Sequence, residues 1–151
     1  MTPTPGRSRA VPALGTRRQA RERALSLLYE AEAKGVGPDR VLAELPLAPD
    51  RFAAELVAGV GKHAQEVDGW IGRFARDWAV ERMPAVDRTL LRIGVFELLH
   101  RPDVPTGVVI SEAVELARRF STEDSGRFVN GVLAGIAAAV RPQDTVAGSS
   151  P

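Results

Sequence analysis

The sequence predicts an all-α protein, a compact bundle of six or seven helices. Apolar residues recur three and four positions apart through most of its 151 residues, which is the spacing of one face of a helix. Residues that favour helix starts, such as Asp50 and Pro84, precede several of these segments. The nearest approach to strand alternation, over residues 104–110, is too short to predict a sheet.

The first helices are defined by their start and stop signals. Thr16 can cap helix 1, which should run to about Lys34 and end at the following glycine. A short second helix should span residues 38–45, with a proline at each end. Asp50 can accept hydrogen bonds from the free N–H groups of a third helix, so a new helix should begin after it.

The third and fourth helices follow each other closely. Their apolar faces are Phe52, Leu56, Val57 and Val60 in the third, and Val67, Trp70, Ile71, Phe74 and Trp78 in the fourth. Gly59 and Gly61 can either end the third helix or bend it. The sequence therefore leaves open whether the two segments form one long bent helix.

The last three helices differ in how they should be buried. The segment from Pro84 to about His100 is apolar nearly all round, which predicts a central, buried helix. Thr106 or a neighbour opens the next helix, and Ser121 or Thr122 should cap the last. Their apolar stripes are Val109, Ala113, Leu116, Ala117 and Phe120 in the first of these, and Val129, Leu133, Ile136 and Val140 in the second.

Charge is divided unevenly along the chain. The first 23 residues hold six arginines and one glutamate, a net charge of +5, while the remainder carries −4. We expect a disordered basic arm at residues 1–15, a folded domain at 16–141 and a disordered tail at 142–151. Cations in the first turn of a helix oppose its dipole. A basic first turn is readily explained by an anionic ligand such as a phosphate backbone.

Several classes of function find no support. The chain has no cysteine, which fits a reducing compartment and excludes a thiolate metal site. It has no apolar run long enough for a membrane span and no secretory signal, so we expect a cytoplasmic protein. Only His63 and His100 could act as imidazole bases, and carboxylate pairs such as Glu112 and Glu115 are more typical of a solvated face than of a metal site. We therefore expect no enzyme activity, no cofactor and no metal site.

Nucleic-acid binding has better support. Arg17, Arg18 and Arg21 share one side of helix 1, and Arg7 and Arg9 lie on the arm before it. Arg127 and Phe128 form a second candidate, because an aromatic ring can stack on a base while a neighbouring arginine reaches phosphate. The spacing of Phe128 also fits a core residue. Tyr29 is either a boundary residue or an anchor for a protein partner.

Three segments resemble one protein family. They are RRQARERALSLLYEAE (17–32), VDRTLLRIGVFELL (86–99) and ISEAVELARRFSTEDSGRFVNGVLAGI (110–136). Together they are similar to the NusB family of bacterial transcription antitermination proteins. The last segment is the most specific, since AVELA, an Asp-Ser pair and FVNGVL occur there in order. The resemblance extends from about Arg17 to Pro142.

The resemblance implies an all-helical fold in two small helical halves, with binding activity in place of catalysis. It implies three partners: single-stranded boxA RNA, the ribosomal protein NusE, and the RNA polymerase complex with other Nus factors. By position, the RNA-binding residues would be Arg18, Arg21, Phe120, Asp124, Arg127 and Phe128. The NusE-binding residues would be Tyr29, Glu81 and Asp87, with no second aromatic residue near Tyr29.

Two alternatives remain at the level of the sequence. A protein-binding adaptor of the transcription complex would keep the fold and have little RNA affinity of its own. NusB-like domains also precede ribosomal RNA methyltransferases, but no strand with a glycine-rich cofactor loop follows residue 141, so we do not expect that arrangement. Some family members form homodimers, which leaves both a monomer and a dimer open.

Overall fold

A computed structural model of the chain describes residues 13–144, with side chains from residue 17 onward. Within that range the chain forms helices and no strand, which confirms the all-α prediction. The helices are α1 (Ala13–Lys34), α2 (Pro38–Ala43), α3 (Arg51–Lys62), α4 (Ala64–Phe74), α5 (Ala85–His100), α6 (Thr106–Phe120) and α7 (Glu123–Val140), with a 3-10 turn (Val80–Arg82) before α5. Residues 1–12 and 145–151, including Arg7 and Arg9, lie outside the described part.

Helix α1 begins earlier than the sequence predicted and ends where predicted. It already includes Ala13, three residues before the predicted cap at Thr16. At the other end Gly35 has a φ of 69°. The N–H of Gly35 donates to the carbonyl of Glu32, and the N–H of residue 36 donates to Ala31. This left-handed stop is one that glycine adopts without steric cost.

The third and fourth helices are separate. Asp50 caps α3 by accepting hydrogen bonds from Phe52 N at 2.8 Å and Ala53 N at 3.2 Å, as predicted. The break comes at His63, and neither Gly59 nor Gly61 ends α3. A Cβ on Gly59 would lie 2.2 Å from the Phe96 ring, so glycine there permits α3 to approach α5 closely.

Helix α5 is the centre of the bundle, as its apolar circumference predicted. It contacts α1 and α3 on one side and α6 and α7 on the other, while α4 packs against both α5 and α7. The first three helices contact one another, and α6 packs most extensively on α7. The fold therefore has two small helical halves that share α5. Four of the buried residues of α5 are polar: Asp87, Arg88, Thr89 and Glu97.

Four predicted boundaries or faces are wrong in detail. Helix α4 ends at Phe74, so Trp78 lies in the following loop and is 42% exposed. Phe120 is 45% exposed at the last position of α6 instead of completing its buried face. The short α2 ends at Ala43, before Leu45. The disordered tail was expected from residue 142, but Arg141 is buried and residues 142–144 are helical.

The Arg141 side chain explains that last correction. Its guanidinium donates hydrogen bonds to the carbonyl oxygens of Glu97, Leu98, Arg101 and Val104, at 2.7–3.1 Å. The Leu98 carbonyl is one that the end of α5 leaves without a helical partner, and arginine can satisfy it. The following residues, 142–144, form one more helical turn. No helix within residues 13–144 is long and apolar enough to cross a lipid bilayer.

Candidate nucleic-acid interface

Arg18 lies on the exposed side of α1 and is paired with a carboxylate of α6. Its Nε and Nη2 donate to the two oxygens of Glu112 at 3.0 Å and 2.8 Å. The Arg18 side chain is 49% exposed, whereas that of Glu112 is 5% exposed. These hydrogen bonds raise the pKa of Arg18 and lower the pKa of Glu112. The positive charge of Arg18 is therefore partly neutralised, and Glu112 is committed to it and not to a metal.

Arg21 is not on the nucleic-acid surface, and the sequence prediction for it is wrong. Its side chain is 2% exposed and forms a two-pronged pair with Glu97, with Nε–Oε2 and Nη2–Oε1 distances of 2.9 Å and 2.7 Å. The guanidinium also lies 5.2 Å from the centre of the Phe52 ring. A group enclosed between α1, α3 and α5 cannot contact RNA. Glu97 was the signal for this, because a carboxylate inside an apolar helix needs a buried cationic partner.

An open basic cleft lies between α1, α6 and α7. It has a volume of about 790 Å³, and its charged lining residues are Arg18, Arg118 and Arg127 against Glu112 and Glu115. Arg118 is 3.4 Å from Glu123, and both side chains are well exposed. Exposed ion pairs of this kind contribute little to stability because water screens them. Arg118 can therefore exchange its carboxylate partner for phosphate at small cost, whereas Arg18 is held by the nearly buried Glu112.

Phe128 lies beside this cleft in an aromatic pocket that the sequence did not predict. Its ring meets Trp78 edge to face, with centroids 5.3 Å apart. Trp78, Pro84, Asp124 and Phe128 line a pocket of about 410 Å³. Arg127 lines the basic cleft, and its neighbour Phe128 lines the aromatic pocket. The cleft and the pocket therefore lie on either side of the first turns of α7. Trp78 escaped prediction because its helical spacing from Phe74 suggested a core residue.

Asp124 is an exposed acid in the first turn of α7, where a negative charge suits the helix dipole. Its carboxylate pairs with Arg127, and the two side chains are 87% and 68% exposed. Thr122 caps the same helix by accepting a hydrogen bond from Ser125 N at 2.9 Å. The structure thus brings Asp124, Arg127 and Phe128 together, as the sequence predicted, with Arg18 across the cleft.

Phe120 belongs to a different surface. It lines a groove of about 380 Å³ with Leu25, Tyr29 and Val86. The guanidinium of Arg119 lies 4.9 Å from the centre of its ring. Phe120 is therefore placed with the predicted partner residue Tyr29 and not with Phe128. It supplies the second aromatic group that the sequence appeared to lack near Tyr29.

The three predicted partner residues are not equally available. Tyr29 is 48% exposed in the groove, and Glu81 is exposed in the 3-10 turn. Asp87 is only 1% exposed, and its Oδ2 accepts a hydrogen bond from Ser125 Oγ at 2.9 Å. The start of α7 covers the first turn of α5, so Asp87 joins the two helices at the bottom of the pocket that Trp78 and Phe128 line. Among the described residues, its Oδ1 has no hydrogen-bond partner.

The chain is similar to proteins of one family along most of its length. A family model described as the NusB family matches residues 18–138. A Salinispora tropica protein named transcription antitermination protein NusB is 48% identical over 128 residues, covering 80% of this chain and 94% of that protein. A protein of the same name from Kineococcus radiotolerans is 45% identical over 130 residues, covering 82% and 94%.

Solved structures of similar fold agree. NusB of T. maritima aligns with a TM-score of 0.76 and 31% identity, covering 86% of this chain and 96% of that one. A complex of the antitermination factors NusB and NusE with double-stranded RNA aligns with a TM-score of 0.69 and 31% identity, covering 82% and 96%. The fold seen here is therefore one found in a protein that assembles with both NusE and RNA.

Proposed function

This chain belongs to the NusB family, and on that premise we propose that it is a transcription antitermination factor. It binds boxA RNA together with the ribosomal protein NusE and helps RNA polymerase read through terminators, chiefly in ribosomal RNA operons. The function is one of binding in the cytoplasm, without catalysis. A purely protein-binding adaptor is not favoured, since a solved relative holds RNA as well as NusE.

The observation that carries the RNA proposal is the junction of two sites across the start of α7. The basic cleft offers Arg18, Arg118 and Arg127 to a phosphate backbone, and the pocket beside it offers the rings of Trp78 and Phe128. Cationic grooves with adjacent aromatic rings are typical of single-strand binding, because phosphates and base faces are engaged together.

The acid Asp124 tunes this site. In the free protein its carboxylate pairs with the guanidinium of Arg127, whose side chain is 68% exposed. When RNA arrives, phosphate can replace Asp124 as the partner of Arg127. We therefore expect Asp124→Asn to increase RNA affinity, since it removes both a competitor for Arg127 and a negative charge near the backbone.

The partner proposal rests on the groove containing Tyr29 and Phe120. Two half-exposed aromatic residues, together with Leu25 and Val86, form an apolar contact area, and an ion pair of Glu22 with Arg119 lies at its edge. Aromatic anchors surrounded by polar residues are typical of protein interfaces. The exposed Glu81 suits a basic ribosomal protein. Phe120 thereby becomes a residue of the NusE surface.

The test is fluorescence anisotropy with labelled boxA RNA and a scrambled RNA, with and without NusE, over a range of salt concentrations. We expect binding that prefers boxA and strengthens with NusE. Single-stranded and double-stranded boxA should be compared, since the solved complex holds a duplex. Equal affinity for boxA and scrambled RNA would leave only a nonspecific basic surface. Absence of RNA binding would instead support the adaptor.

Single substitutions, each with a matched control, test whether the cleft and the pocket are the RNA-binding surface. Phe128→Ala should weaken boxA binding and leave NusE capture intact, because its ring faces the pocket and not the Tyr29 groove. Arg40→Ala is the control, since Arg40 is an exposed arginine on α2 paired with Glu44, away from the cleft. A loss in Arg40→Ala equal to that in Arg127→Ala would show that net charge alone determines binding.

A further inference from the structure

Two histidines and one glutamate meet where the α3–α4 junction packs against the end of α5. His63 separates α3 from α4, Glu66 lies in the first turn of α4, and His100 is the last residue of α5. Glu66 Oε1 is 2.9 Å from His100 Nε2 and 3.6 Å from His63 Nδ1. These are the only two histidines of the chain, and the fold brings both to one carboxylate.

We propose that His63, Glu66 and His100 form a binding site for a divalent transition-metal ion such as Zn²⁺ or Ni²⁺. The ligand atoms of the three side chains all lie within 4.8 Å of one another. Imidazole nitrogen and carboxylate oxygen are donors that these ions prefer. Mg²⁺ and Ca²⁺ favour oxygen ligands and would be poorly served by two imidazoles.

The distances suit this ion class. With metal–ligand bonds of about 2.1 Å, a tetrahedral ion separates its ligand atoms by about 3.4 Å. The two distances to Glu66 Oε1, 2.9 Å and 3.6 Å, lie on either side of that separation. The side chains are about one-third to one-half exposed, so an ion can reach them and they can rotate to complete the geometry. A fourth position remains for water.

Neighbouring rings restrict the two imidazoles. His63 and His100 stack with centroids 3.9 Å apart, and Phe96 packs 6.0 Å from the first and 5.4 Å from the second. The two rings are nearly parallel, with an interplanar angle of 23°, so one ring must turn for a nitrogen of each to face the same ion. The sequence predicted no metal site because Glu66 and His100 are 34 positions apart.

A bound ion would connect the α3–α4 junction to the C-terminal end of α5. Because the ion binds the folded arrangement, it should stabilise the native state by mass action. The three residues line neither the basic cleft nor the aromatic pocket. Metal binding is therefore separate from the proposed RNA surface and can be tested without RNA.

The experiment is calorimetric titration of the full-length, tag-free chain with Zn²⁺ and Ni²⁺, with Mg²⁺ as a comparison ion. We expect one Zn²⁺ or Ni²⁺ per chain and no comparable Mg²⁺ binding. His63→Asn and His100→Asn should each weaken Zn²⁺ binding at least tenfold. Gln65→Ala is the matched control, because Gln65 is exposed beside Glu66 and outside the ligand set.

A second measurement keeps folding and binding apart. Zn²⁺ should raise the Tm of the unsubstituted chain and of Gln65→Ala but not that of the histidine variants, whose metal-free Tm shows whether they fold. Glu66→Gln, which keeps the shape of the side chain, should also weaken binding. Undetectable binding of both ions at millimolar concentration would overturn the proposal. So would unchanged affinity in the double histidine variant, or one ion per two chains.

Discussion

Arginine has two different roles in this protein, one in the interior around α5 and one on the surface between α1, α6 and α7. In the interior, Arg21 pairs with buried Glu97, and Arg141 donates to carbonyls around the end of α5. On the surface, Arg18, Arg118 and Arg127 each have a carboxylate partner but remain half-exposed or more.

The difference shows that the environment decides what an arginine contributes. A buried guanidinium must keep its partners, because leaving either member of the pair unpaired in the interior costs several kcal/mol. An exposed pair is screened by water and contributes about 0–1 kcal/mol. Interior arginines therefore stabilise the fold, while Arg118 and Arg127, whose carboxylate partners are exposed, can exchange carboxylate for phosphate.

The most severe test of this comparison is Arg21→Ala. It leaves Glu97 buried without its cation, so the free energy of unfolding should fall by about 3–5 kcal/mol. Urea denaturation followed by circular dichroism measures this change. Replacing both members, Arg21→Met with Glu97→Leu, should recover much of the loss because neither charge is then buried. If Arg21→Ala were as stable as the unsubstituted chain and bound boxA more weakly, Arg21 would have to be an RNA-binding residue after all.

Arg141→Ala should produce the next largest effect. It removes hydrogen bonds to four backbone carbonyls near the end of α5, and we expect a loss of about 2–4 kcal/mol in the free energy of unfolding. Arg141→Lys should rescue little, because an ammonium cannot reproduce the planar fork of donors. Full stability of Arg141→Lys would mean that charge, and not donor geometry, holds this end of the chain.

Tyr29→Asp tests the partner groove. A charge placed beside Phe120 and Leu25 disrupts the apolar contact area, and we expect NusE affinity to fall at least tenfold, about 1.4 kcal/mol. Because Tyr29 is about half exposed, the Tm should change little. Titration with NusE measures the effect, and Tyr29→Phe is the control that keeps the ring. Unchanged NusE affinity in Tyr29→Asp would place the interface elsewhere.

Arg127→Ala tests the surface role of arginine. It should reduce boxA affinity several-fold and lower the salt slope by about 0.7 if one single-strand phosphate contact is lost. Its free energy of unfolding should change by less than about 1 kcal/mol, since the Asp124 pair is exposed. Anisotropy and urea denaturation on the same preparation give both values. A large stability loss without an RNA effect would reverse the assignment.

The smallest expected effect is on the pH dependence of stability, through the carboxylate of Glu112 in its pair with Arg18. Hydrogen bonds from Arg18 hold the pKa of Glu112 below its ordinary value near 4.5. A lowered folded-state pKa contributes stability above that ordinary value, and this contribution is lost as pH falls through the lowered pKa. The stability difference between the unsubstituted chain and Arg18→Ala should therefore shrink below pH 4.5 in urea denaturation. A gap that stays constant would contradict the assigned cause.

Part of the site could be found from sequence and part could not. Arg127 and Phe128 were predicted because they are neighbours, and adjacent helical residues face different directions, toward the cleft and the pocket. Trp78 was missed because its partner Phe128 lies fifty positions away. The burial of Asp87 was not predicted because the Ser125 hydroxyl that contacts it comes from another helix. Contacts between distant segments leave no local pattern.

The sequence by itself determined the helical class, the central position of α5, the Asp50 cap and the stop at Gly35. These follow from local physics, since periodicity, capping and left-handed backbone depend on residues within a few positions of one another. Only the tertiary structure decided which arginines are buried, that Phe120 faces Tyr29, and that His63 meets His100. The physical reason is that burial and pairing depend on which helix faces cover one another, and packing of the whole bundle settles that.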